Sequence, residues 1–199
     1  MIVVSILTAL ALEHAAQSWH HSHLAHDAEG KIESELRHNL AELHKTTEAN
    51  AKQLKELQPI SAALRQAIKG DKAQKEAFNE MINKRETRIG FELKSPNLRR
   101  EAWEVAVASQ AASWLSAARL QRYSGLHSQQ RDTQESVRLN TQLTLGGTTM
   151  FRTLRSAEIG NVDPVELYHA LGQMQTAIDS VQDELLLLEK EMTVVLAKT

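Results

Sequence analysis

Residues 163–195, DPVELYHALGQMQTAIDSVQDELLLLEKEMTVV, read as one amphipathic helix with a marked beginning. Asp163 suits the N-cap. Pro164 suits the first helical position, where its missing N–H is no loss, and Glu166 stands three residues after the cap. From there Leu167, Leu171, Met174, Ile178, Val181, Leu185, Leu188, Met192 and Val195 step alternately by four and three. That spacing keeps the whole stripe on one helical face. Burying each such side chain is worth roughly 1.5–3 kcal/mol, so the stripe must face another helix.

A second stripe of the same period lies near the other end. Leu36, Leu40, Leu43, Thr47, Asn50, Leu54 and Leu57 form a heptad seam with Thr47 and Asn50 as polar interruptions. Asn39 lies close to it. A buried Asn in such a seam fixes register at a cost in stability, and that structural role is expected of Asn39 and Asn50 rather than ligand binding. The seam is a fitting antiparallel partner for the 163–195 stripe. The first helix is expected to run from about residue 2 to residue 57, about 80 Å at the helical rise. Gly30 is its weak point and Pro59 its end. A second helical stretch covers 60–83, interrupted at Gly70-Asp71 and recapped by Asp71.

Residues 84–97 lose the helical period and are expected to form the main loop, with a short extended piece at 88–93. A third helix starts near Asn97 or Leu98 and carries the small residues Ala106, Ala108, Ser109, Ala111 and Ala112. Ser116 then caps a fourth helix running to about Ser156, with Gly146-Gly147 as a kink or a close approach. The fold class is all-α: an elongated antiparallel bundle of four to five helices with a long N-terminal helix.

Composition agrees. Three Pro, eight Gly and 4% aromatic residues are too few for a many-turned β-fold. The absence of cysteine excludes thiol chemistry, disulfides and cysteine-based zinc sites. A net charge of −2 and basic stretches without interleaved aromatics argue against nucleic acid. Charge is nonetheless uneven. Residues 58–100 hold ten Lys/Arg against five acids, and residues 157–199 hold two Lys against eight acids. Mutual attraction of two helical faces is the expected reading.

Residues 1–26 read as a membrane-anchor-like segment and residues 27–199 as the helical bundle domain. Ile2–Leu12 is uncharged and apolar, followed by Glu13, His14, Trp19 and the histidines 20, 21, 23 and 26. Even extended to Ala16 the run is shorter than the ~20 residues that cross a bilayer. Three readings fit: a transmembrane helix whose upstream half is missing, a short interfacial or oligomer-buried helix, and the buried end of an ordinary helix. On the first reading Trp19 sits at the lipid–water interface. The lack of Lys and Arg before Lys31 places the bundle on the translocated side, a periplasmic domain held at a bacterial inner membrane.

Two constellations are candidate sites. His20, His23 and His26 are spaced i, i+3, i+6. Neutral imidazole binds zinc, copper or nickel, and Asp27 or Glu29 would complete a ligand set. The alternative is a polar collar around the helix. Trp103 and Trp114 are eleven residues apart and would share one face of a continuous helix, either as packing aromatics or as the wall of a ligand groove near the polar stretch Ser128–Ser136. No nucleophile elbow, phosphate loop or dinucleotide fingerprint occurs, so neither catalysis nor a cofactor is expected.

Several motifs together carry a resemblance: the Ala-Leu-Glu at Ala11–Glu13, the Trp/His collar, ELRHNLAEL at Glu35–Leu43, AWEVAVASQA at Ala102–Ala111, and Gln121-Arg122-Tyr123-Ser124. This layout resembles a group of uncharacterised bacterial proteins with a single N-terminal transmembrane helix and an all-α extracytoplasmic domain. The resemblance implies placement and architecture and supplies no activity. The expected function is a membrane-anchored bundle acting as a structural or protein-interaction module, with a homo-oligomer or protein partner. The alternatives are a sensor bundle holding a small ligand between helices and a histidine-cluster metal-binding protein.

Overall fold

Good helix formers with few interruptions should give few, long helices, and the computed structural model has that character. It describes residues 2–83, 90–145 and 147–198, apart from the side chains of residues 2, 79, 81–83, 145 and 148. The described residues hold helices α1 (Ile2–Lys69), α2 (Lys72–Asn83), α3 (Glu101–Ala108), α4 (Ala117–Leu145), α5 (Thr148–Glu158) and α6 (Pro164–Leu196). A 3₁₀ turn covers Ala111–Trp114, and there is no strand among them. The protein is an all-α helical bundle.

Several boundaries differ from the sequence expectation for identifiable reasons. Helix α1 does not end at Pro59 but passes through it and stops at Lys69. Proline removes one backbone hydrogen bond and crowds the preceding turn, which costs about 3 kcal/mol. Leu57 before it and Leu64 and Ala67 after it are buried in one cluster, and that burial outweighs the loss. The break comes instead at Gly70-Asp71. There the Asp71 carboxylate accepts the Gln74 backbone N–H at 3.0 Å and the Gln74 side-chain Oε1 accepts the Asp71 N–H at 3.2 Å, a reciprocal cap for α2.

The expected third helix is split. Helix α3 ends at Ala108, Gln110 sits in the left-handed region at φ 62°, and the 3₁₀ turn follows with Ala111 and Ala112 buried. The fourth helix begins after Ser116, whose hydroxyl accepts the Arg119 N–H at 3.4 Å. It stops at Leu145, and extended Gly147 leads into the separate α5. Gly147 thus stands at the start of a separate helix, while Gly146, the other half of the expected kink, lies outside the described residues. Asp163 caps α6 by accepting the N–H groups of Val165 (2.7 Å) and Glu166 (3.0 Å). The expected loop is non-helical over 90–97, and residues 90–93 of the expected extended piece form no strand, while residues 84–89 lie outside the described residues.

The chain divides into two compact units: 1–42 with 97–131 and 189–199, and 43–96 with 132–188. In the second unit the α6 stripe meets its partners. Leu167, Leu171, Met174 and Ile178 form one core with Leu57, Leu64 and Ala67 of α1, Phe78 of α2, and Met150, Leu154 and Ala157 of α5. Arg65 meets Tyr168, and Gln182 donates to the Thr47 carbonyl, so α6 runs opposite to α1 within this unit. In the first unit Ile32, Leu36, Leu98, Ala106, Tyr123, Leu126 and Met192 are buried. Among the described residues the basic stretch shows local ion pairs, as in Lys72–Glu76 and Lys94–Glu92, while Arg65 meets the Tyr168 hydroxyl.

The expected membrane anchor is overturned. Among the described residues no helix is long and apolar enough to cross a membrane. The apolar run of Ile2–Leu12 is followed in the same helix by Glu13, His14, Gln17, Ser18 and the histidines, which lower the hydropathy of any window of spanning length. The inner-membrane placement and the periplasmic assignment drawn from it fall with the anchor. What the fold presents there is an exposed apolar helix surface.

The continuity of α1 is directly testable. Pro59 is exposed, so Pro59→Ala restores a backbone hydrogen bond without disturbing packing. Stability in urea unfolding should rise by about 1–3 kcal/mol. A loss of stability would show that residues 57–61 do not form continuous helix.

Candidate functional site

The first unit contains a line of buried polar side chains that begins on α1. Glu29, Glu35 and Asn39 are all buried. The Glu29 carboxylate accepts the Tyr123 hydroxyl at 3.1 Å and the Arg119 guanidinium at 2.7 Å. Burial, then the carboxylates of Glu29 and Glu33, push the Tyr123 phenol far above its ordinary value, so it stays a donor. Glu35 accepts the Ala102 N–H at 2.7 Å. Helix α3 has no side-chain cap of its own, so a carboxylate from α1 serves its first turn. Burial raises the Glu35 pKa against the opposing hydrogen bonds from the Ala102 and Trp103 backbone.

Asn39 uses both ends of its carboxamide on one residue. Its Nδ2 donates to the Arg99 carbonyl and its Oδ1 accepts the Arg99 N–H, both at 2.8 Å. Gln130 of α4 donates to the same carbonyl at 2.8 Å. In the second unit Asn50 grips Lys94 in the same manner, N–H and carbonyl both at 3.1 Å, and Gln53 donates to the Gly90 carbonyl at 3.2 Å. Both asparagines are fully buried. They serve the main chain of a non-helical segment, where the sequence suggested only register-setting within a seam.

Trp103 and Trp114 are not brought together. The break at Gln110 takes them off a common helix face. Trp103 stacks on His127 of α4 with ring centroids 5.2 Å apart and planes 12° from parallel. Trp114 stacks on His21 of α1 at 3.5 Å and 8°. An open groove of about 720 Å³ runs beside this second pair, lined by residues that include His14, His21, His26, Glu29, Trp114 and Arg119. His20 and His23 are exposed on α1, where His23 is 5.9 Å from Trp19 and His20 is 6.1 Å from His21, ring to ring. Among the described residues no group of three or more His, Cys, Asp or Glu is placed to hold a metal ion. The three histidines of the proposed ligand set are not gathered.

His127 carried no signal in the sequence. It is 5% exposed, and neither ring nitrogen has a hydrogen-bond partner among the described residues. Burial, helped by the nearby Arg100 charge, lowers its pKa to about 4. It is a neutral imidazole packed as an aromatic.

No protein-family profile matches the chain, and neither a curated protein nor a solved structure is significantly similar to it. The site must therefore be read from its own geometry.

Two outcomes follow. Were Asn39 merely a polar seam residue, Asn39→Leu would stabilise the protein. Because it satisfies the Arg99 N–H, Asn39→Leu should instead cost about 1–3 kcal/mol in chemical unfolding. His127 sets a pH dependence. Above its unfolded value near 6.5 both states are neutral. As pH falls from there toward about 4, the unfolded state takes up a proton that the folded state refuses, and stability drops. The full loss is on the order of 3 kcal/mol. His127→Phe keeps the stack on Trp103 and should flatten the stability profile across that window.

Proposed function

We propose that this chain is a non-catalytic helical-bundle module that works by contact with another protein, with the start of α1 as its contact surface. In this reading the two heptad stripes build an antiparallel bundle on a long first helix, whose opening turns are left for a partner. One observation carries it. Val3, Val4, Ile6, Leu7, Leu10 and Leu12 are all exposed, Val3 by 69% and Trp19 beyond them by 72%. Contiguous apolar surface of this kind marks an interaction site. The partner we infer is a second copy of the chain. The run carries no charge up to Glu13, so two such helices can pack without burying an unpaired ion.

The test is the molar mass of the full chain by light scattering over a concentration series. The wild type should shift to a larger species as concentration rises, and Leu7→Lys with Leu10→Lys should remain monomeric with unchanged circular dichroism. A wild type that is monomeric throughout would overturn the reading.

A ligand-sensing bundle is the second reading, favoured by the groove beside the His21–Trp114 stack. A ligand entering there would change the fluorescence of Trp114, and Trp114→Phe would remove that change.

A further inference from the structure

The second unit carries a groove that neither reading uses. It has a volume of about 680 Å³ and is walled by α1, α4 and α6. Its lining is unusual in chemistry. Ser61, Asn140, Thr144, Gln173, Thr176 and Ser180 bring hydroxyl and carboxamide groups to it. Arg65 is the one Lys or Arg among the lining residues described, and none of them is Asp or Glu.

Three features suggest that this surface is more than a gap between helices. First, Arg65 is held in place. Its Nη2 donates to the Tyr168 hydroxyl at 3.1 Å, and its guanidinium carbon lies 5.7 Å from the centre of the same ring. Four of its five donors are left for other acceptors by that single bond. Second, Ser61 is one of the lining residues and only 9% exposed, and its buried hydroxyl has no hydrogen-bond partner among the described residues. A buried hydroxyl without a partner is costly, and an incoming acceptor or donor would relieve it. Third, Gly172 stands inside α6 with no reason in packing. A Cβ built there meets nothing within 4 Å, and its φ is not in the left-handed region. Glycine in a helix interior is destabilising relative to alanine, so its effect here is to leave the groove open.

A fixed guanidinium surrounded by neutral hydrogen-bonding groups suits a small anion that also carries hydroxyls. Guanidinium pairs in a forked geometry with carboxylate or phosphate. The hydroxyls and carboxamides match alcohol groups of either donor or acceptor character. The volume lies within the range of small-molecule sites. We propose that this groove binds a sugar acid. Arg65 takes the carboxylate, Ser61 and the carboxamide side chains take ring hydroxyls, and Gly172 gives the ring its room. This site is independent of the contact surface at the start of α1.

Titration of the full-length protein with glucuronate, followed by backbone amide NMR shifts, tests the proposal. Saturable shifts should centre on Gly172 and Gly147. Glucose, which has the hydroxyls without the charge, should bind at least about tenfold more weakly, a difference of the size expected for a charge-assisted hydrogen bond. Arg65→Gln, at an exposed side chain, should weaken glucuronate binding by at least about tenfold. Gly172→Leu should abolish it while the circular dichroism spectrum is retained, because the added Cβ has space and leucine favours helix. Absence of saturable shifts, equal binding of glucose, or unchanged affinity in either variant would overturn the assignment.

Discussion

Peptide groups that belong to neither a helix nor a sheet must still be satisfied when they are covered. Segment 90–100 is such a stretch, and the protein meets the requirement with side chains of α1. In one unit Asn39 grips both polar groups of Arg99, and in the other Asn50 grips both polar groups of Lys94. A carboxamide is itself a peptide group in shape and polarity, so it can replace a neighbouring strand. Glu35 extends the same logic to the first turn of α3, and Gln53 to Gly90. Without these contacts α1 would bury polar atoms to no purpose, and the chain between α2 and α3 would lose its anchor points.

The charged groups follow from that arrangement. Glu29 is buried and satisfied by two long side chains of α4, Arg119 and Tyr123. Among the described residues, ion pairs such as Lys31–Asp27, Lys52–Glu56 and Arg138–Glu135 join positions three or four apart on one helix and are exposed, where they are worth little. Electrostatics here settles local orientation more than stability. His127 goes further and remains neutral against Trp103, behaving as an aromatic core residue.

Function follows from what remains uncovered. The start of α1 leaves apolar side chains exposed where the rest of the helix buries its stripe. The groove beside Arg65 leaves a buried hydroxyl unpaired and a helical glycine without a neighbour. The first feature is suited to a protein surface and the second to a small polar molecule. Neither requires a catalytic group.

Periodicity alone established a good part of this protein. The stepping of Leu167 through Met192 named a helix and its buried face, and Asp163-Pro164 named its first turn, because those signals depend on neighbours in sequence. Asp71 and Ser116 were readable as caps for the same reason. The helix through Pro59 was not readable. A local penalty of about 3 kcal/mol was outweighed by burial of Leu57, Leu64 and Ala67 in one cluster with residues of α2, α5 and α6. The apolar run of Ile2–Leu12 looked like part of an anchor, yet the hydropathy of a spanning length is a sum over the whole helix, and the histidine-rich turns diluted it. Asn39 and Asn50 were recognisable as buried polar residues, but their partners were not, since a carboxamide fits a helix neighbour and a peptide backbone equally well. Trp103 and Trp114 were separated by one residue, Gln110, in a left-handed conformation that no local pattern marks. His127, Arg65 and Ser61 acquire meaning only from what stands beside them, and only the tertiary structure put it there.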